Sequence, residues 1–139
     1  MKESVIRQIE SHFESYADFV ETLQSDDLKT KLDVVKHKSV MEHLWCIVGS
    51  RESYAKAIAE GSWQGFSCSM KSYEHADFVA ALLASGERIR SSIGAVPEWT
   101  PTREKLLLEL LEHEVMHEGQ IIRHMYGLEK ELPSSWRWA

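Results

Sequence analysis

The residues best equipped for chemistry form one run, His113-Glu114-Val115-Met116-His117-Glu118-Gly119-Gln120. Two histidines four positions apart on a helix lie on one face, one above the other. Their imidazoles can reach a single cation, and the helix fixes their spacing before any metal arrives, so little ordering entropy is lost on binding. The flanks, Leu106 to Leu111 and Ile121, Ile122 and Met125, carry a helical pattern. The chemistry to consider first is therefore that of a divalent metal. The same letters, His-Glu-x-x-His, also spell the zinc-peptidase signature, with Glu114 as the base.

Two imidazoles hold a divalent ion poorly, and catalytic zinc commonly has three protein ligands and one open position. The chain has five further histidines, at 12, 37, 43, 75 and 124. His43 is the first choice for the third ligand. It follows a clear helix cap, and Met41, Leu44, Trp45 and Ile47 around it are apolar, which turns it inward or to the core border. His124 lies about 10 Å beyond His117 by helix rise, too far to share the ion. His12, His37 and His75 have polar neighbours and read as solvated. Cys46, three residues after His43, is a soft donor in principle, but a buried structural thiol is the simpler assignment. Cys68 has no cation beside it in sequence to activate it.

These residues need helices to hold them. Ile6, Ile9, Phe13, Tyr16, Ala17, Val20 and Leu23 form one apolar stripe, which predicts a first helix over residues 2–23. Ser39-Val40-Met41-Glu42 is a capping box that opens a second helix, which runs to Glu60 and stops at Gly61. Residues 62–71 read as a loop, and a third helix is predicted from Ser72 to Ile93. Thr100-Pro101 is a cap with proline at the first helical position, opening a fourth helix to Tyr126. No segment reads as a strand. The prediction is a single all-α domain over residues 1–139, a four-helix bundle whose long connection between helices two and three crosses an end of the bundle.

Composition narrows the function further. The 139 residues carry a formal charge of −6 and no lysine/arginine block, which argues against binding along a nucleic-acid backbone. No apolar run is long enough to span a bilayer. The first residues lack the apolar core of a signal peptide, so the expected location is the cytoplasm and Cys46 and Cys68 are expected to be reduced. Five tryptophans are many for this length, and core and interface packing is the simplest use for them.

The peptidase pattern does not extend. Gln120 and Arg123 stand where the longer motif has glycine and histidine, and no edge strand is predicted to hold an extended peptide. What remains is a histidine early in the second helix (His43-Leu44-Trp45), then His113-Glu114-Val115-Met116-His117-Glu118-Gly119-Gln120-Ile121 in the fourth, and a closing Leu132-Pro133-Ser134-Ser135-Trp136. In these residues the chain resembles the DinB/YfiT-like superfamily of metalloenzymes. The resemblance covers the whole chain as four helices, with its diagnostic residues in two patches. It implies a bundle of non-alternating helix order, a divalent metal on His43, His113 and His117, and a homodimer. Characterised relatives include thiol S-transferases and isomerases that use low-molecular-weight thiols. Family members commonly have His-Arg-Gly-Gln, and this chain departs from that with Glu118 in place of the arginine.

The leading expectation is thus a metal-dependent enzyme of the thiol S-transferase type, acting on a small-molecule substrate. Three neutral imidazoles leave a bound ion its full charge, which lowers the pKa of a coordinated water or thiol. Zinc or nickel suits such a site best, with iron, manganese or copper as alternatives. Glu114 is a candidate for proton transfer or for orienting a ligand, and Gln120 for contacting substrate or an imidazole. Gly119 is expected to permit close helix packing. The alternative from another class is a non-catalytic metal-binding stress or interaction protein.

Overall fold

A computed structural model describes residues 1–139. Four helices carry the chain: α1 (Lys2–Thr22), α2 (Val40–Glu60), α3 (His75–Ala95) and α4 (Pro101–Gly127), with a 3-10 turn at Ser25–Leu28 and no strand. No helix is long and apolar enough to cross a membrane.

The helix ends follow from local chemistry. Ser39 accepts from the Glu42 N–H, and the Glu42 carboxylate accepts from the Ser39 N–H at 2.7 Å, so α2 starts with two otherwise orphaned donors satisfied. It ends at Gly61, whose φ of 79° is open to glycine without strain. Arg103 at the start of α4 then donates to the Ile58 and Ala59 carbonyls, covering the same helix end. Thr100 caps α4, with Pro101 at its first position. α3 begins at His75, three residues later than the expected Ser72. The Glu74 N–H donates to Asp77 Oδ2 at 2.9 Å, and that bond sets the start of the helix.

α1 and α2 each pack against both α3 and α4. The core falls into two apolar clusters. Ile9, Ile58, Ile89 and Leu106 share one, and Val20, Val40, Phe78 and Met125 share the other. The first halves of α1 and α4 therefore meet the second halves of α2 and α3. α1 and α4 run one way, and the consecutive pair α2 and α3 runs the other.

A parallel pair needs a connection that travels back along the first helix. Residues 61–74 do so on the surface of α2. The Ser67 N–H donates to Ser53 Oγ at 3.0 Å, and the Ser69 N–H donates to Glu52 Oε2 at 2.8 Å. Gly49 makes this approach possible. A Cβ there would collide with the Phe66 ring and stand 2.9 Å from the Cys68 Cβ. At the opposite end of the chain Trp136 is buried. Its indole donates to the Ser15 carbonyl at 2.7 Å and packs edge-on against Tyr16, tying the tail to α1.

Candidate metal centre

The second half of α4 faces the first half of α2, and this brings His113 and His117 to His43. Nδ1 of His43 lies 2.8 Å from Nδ1 of His117, and Nε2 of His117 lies 3.2 Å from Nε2 of His113. The rings pack edge to face along this row, with centroids 5.1 and 4.5 Å apart. Next to His113 stand Cys46 Sγ, at 3.5 Å from Nε2, and Ser50 Oγ, at 3.0 Å.

These separations can be compared with a coordination sphere. Zinc–nitrogen and zinc–sulfur bonds of about 2.0–2.1 and 2.3 Å at tetrahedral angles give N···N edges of about 3.3 Å and N···S edges of about 3.6 Å. The His113–His117 and Cys46–His113 distances match those edges. The ligand atoms of Cys46, His113 and His117 all lie within 4.8 Å of one another. The His43–His117 contact is shorter than such an edge and uses the other nitrogen of His117. At that distance one ring donates a hydrogen bond to the other. His43 thus meets the pair through His117, while the thiol of Cys46 shares the point on which His113 and His117 converge. A partly buried cluster of cysteine and histidine that can hold a metal ion is therefore present.

The electrostatics favour neutral donors. Burial pushes the His43 imidazole down to about 4 and His117 to about 3, with the neighbouring His113 adding to the effect on His117. Burial lowers His113 as well, and it raises the Cys46 thiol. Near neutral pH the three rings carry no proton charge, so their lone pairs are available. His113 Nδ1 is buried without a protein partner.

Glu114 has a different task from the one expected of it. It is fully buried, and its two oxygens accept from Arg51 Nε and NH2 at 2.8 Å each. With both oxygens bound, the carboxylate is not free to orient a ligand or take a proton, which also removes the base of the peptidase pattern. Arg51 donates as well to the Leu82 carbonyl and lies 4.0 Å over the Phe13 ring, so one guanidinium joins α1, α2, α3 and α4. The chain signals this pair through register. Arg51 falls on the apolar face between Leu44, Ile47, Ala55 and Ile58, and a charge on that face requires a partner.

The three histidines that read as solvated are all at least half-buried. His12 is buried and its Nδ1 pairs with the Glu118 carboxylate. This pairing accounts for glutamate at 118 locally: it faces an imidazole on α1. His75 Nε2 donates to the Val20 carbonyl at 2.6 Å. His124 is buried against His37, ring centroids 4.8 Å apart. Gly119 is not a packing site, since nothing lies within 4 Å of where its Cβ would be. Together with Gln120 it borders an open cleft that also reaches His43.

Neither a scan of protein families nor a search of curated proteins finds a match to this chain.

Proposed function

We propose that this protein is a divalent-metal enzyme of the DinB/YfiT type, a homodimer, whose ion is held by His43, His113 and His117 and which transfers groups to or from low-molecular-weight thiols. The observation that carries the reading is the row of three neutral imidazoles supplied by two helices distant in sequence; on metal binding the His43–His117 hydrogen bond would give way as the His43 ring turns to the ion held by His113 and His117. The row begins at His43, which borders a cleft wide enough for a small molecule. Zinc and nickel suit three nitrogen donors, and iron, manganese and copper are compatible with them. When bound, the ion would supply a Lewis-acidic position at which a thiol or water loses its proton more readily. The chain's own part is to hold the rings in place. The helix spacing sets His113 and His117, the Ser39 capping box sets His43, and the Arg51–Glu114 pair locks α2 to α4 just behind them.

A second reading is favoured by the tetrahedral edges around Cys46. If its thiolate joins His113 and His117, with His43 as a fourth ligand or hydrogen-bonded behind His117, the sphere closes and the protein is a non-catalytic metal-binding stress or interaction protein. Cobalt substitution separates the two. A three-imidazole site gives a cobalt spectrum without thiolate charge transfer, unchanged in Cys46→Ala, and an exchangeable coordinated water. A closed site gives the charge-transfer band, loses it in Cys46→Ala, and shows no exchangeable water. Turnover across a panel of thiols and electrophiles, abolished in His117→Ala, is the expected result for the enzyme.

A further inference from the structure

Beside His43 the surface opens into a cleft of about 430 Å³. Lys36, Lys38 and Arg123 line it, together with His37 and Gln120, and no acidic residue does. The chain as a whole has 22 acidic against 16 basic residues, so three cations without an acid run against its composition. None of the three is in an ion pair.

The turn that presents two of these cations is strained. The His37 N–H donates to the Val34 carbonyl at 3.1 Å, closing a four-residue turn with Lys36 in its third position. Lys36 has φ of 61°, in the left-handed region. A third position with positive φ selects glycine or asparagine, and a side-chain-bearing residue there costs about 1–2 kcal/mol. A lysine in that position forgoes stability and places an ammonium at the cleft. The next residue, His37, stacks on His124, and its Nδ1 is buried with no hydrogen-bond partner. Backbone strain and an unpaired polar atom thus occur together on one wall of the cleft.

We propose that this cleft binds the anionic group of the substrate, a carboxylate or a phosphate, and so presents the reacting end of the same molecule to the histidines beside it. The volume is that of a small metabolite site. The guanidinium of Arg123 suits a planar or tetrahedral oxyanion, and the two ammonium groups add charge without fixed geometry. The cleft is also coupled to the centre. His43 belongs to both, lining the cleft and bonding to His117. A net-negative protein repels anions at long range, so a local cluster is needed to attract one. Delivery of the reacting end rests on the metal-centre reading, whereas the anion subsite does not require the ion.

Calorimetric titration at fixed ionic strength tests the subsite, using the full-length protein both as purified and after chelation. The probes are succinate, inorganic phosphate and the uncharged succinamide. One or both anions are expected to bind at least tenfold tighter than succinamide in both preparations. Succinate alone would identify a carboxylate substrate, and phosphate alone a phosphorylated one. Arg123→Gln and Lys38→Gln are each expected to weaken the anion at least tenfold, and Lys105→Gln at the far end of α4 to leave it unchanged. Lys36→Gly is the separating variant. It relieves the left-handed strain, so it should weaken the anion while the melting temperature holds or rises. Anions that bind no better than succinamide, or equally well to all variants, overturn the inference. Metal bound by the histidines without anion binding overturns the subsite alone. Anion binding in a protein that takes up no metal overturns the metal-centre reading alone.

Discussion

Replacing Glu114 with glutamine leaves the Arg51 guanidinium buried at 1 % exposure with no anion against it. Two charge-assisted hydrogen bonds of 2.8 Å each become weaker contacts to a neutral amide. The Leu82 carbonyl and the face of Phe13 remain, but neither carries a full negative charge. Breaking a buried pair from one side costs about 3–5 kcal/mol, a large part of the 5–15 kcal/mol that holds a domain of this size. The melting temperature should fall by about 10–20 °C. A double variant, Arg51→Met with Glu114→Leu, removes both charges and should recover most of the loss, because an apolar replacement leaves no orphaned ion. Denaturant unfolding followed by far-ultraviolet circular dichroism measures all three proteins. Metal stoichiometry, measured in the folded single variant at low temperature, should match that of the unaltered protein. Full stability in Glu114→Gln, or normal stability with metal binding lost, would refute the assignment of Glu114 as a structural anchor and return it to the site.

Two further predictions concern protons and topology. Without metal, stability should fall as pH drops from about 6.5 towards 4. His43 titrates near 4 folded but near 6.5 when exposed, so in that window the unfolded chain binds the extra proton. At about 1.36 kcal/mol for each pKa unit, this histidine alone accounts for roughly 3 kcal/mol. A urea-midpoint series across that pH range checks it: the slope should be shallower after His43→Phe but not flat, because His113 and His117 are also depressed. Gly49→Ala should destabilise by about 1–3 kcal/mol, since the new methyl drives Phe66 and Cys68 off α2. Faster proteolytic cleavage within residues 61–74 is the expected accompaniment.

The helices were legible because their signals are local. Ser39 with Glu42, Gly61 after Glu60, and Thr100 before Pro101 each satisfy or terminate a helix end within a few residues, and the structure places the ends there. The start of α3 was less legible, because the Glu74–Asp77 bond that sets it leaves Ser72 and Tyr73 outside the helix. The pair His113 and His117 was visible because one helix holds both. The partners of the other polar residues were not, because they lie on different helices. His12 finds Glu118 across 106 positions, and Arg51 finds Glu114 across 63. Polar neighbours in sequence made His12 read as solvated, although its burial is decided by the helix packed opposite. Register could have exposed Arg51 and Glu114, since both fall on apolar faces. Nothing in the sequence distinguished Cys46 as a donor from Cys46 as a packing thiol; only its 3.5 Å approach to His113 does.

In the proposed centre, His113 and His117, with a donor from α2, hold one divalent ion. Elemental analysis of the protein purified without an affinity tag, paired with X-ray absorption at the edge of whichever metal is found, tests it most directly. One ion per chain is expected, with imidazole nitrogens at about 2.0–2.1 Å as its main neighbours, and the ion should be lost in His117→Ala with the helices intact. A chain that takes up no stoichiometric metal after incubation with zinc, nickel or iron, or that keeps its ion when His117 is gone, would contradict it.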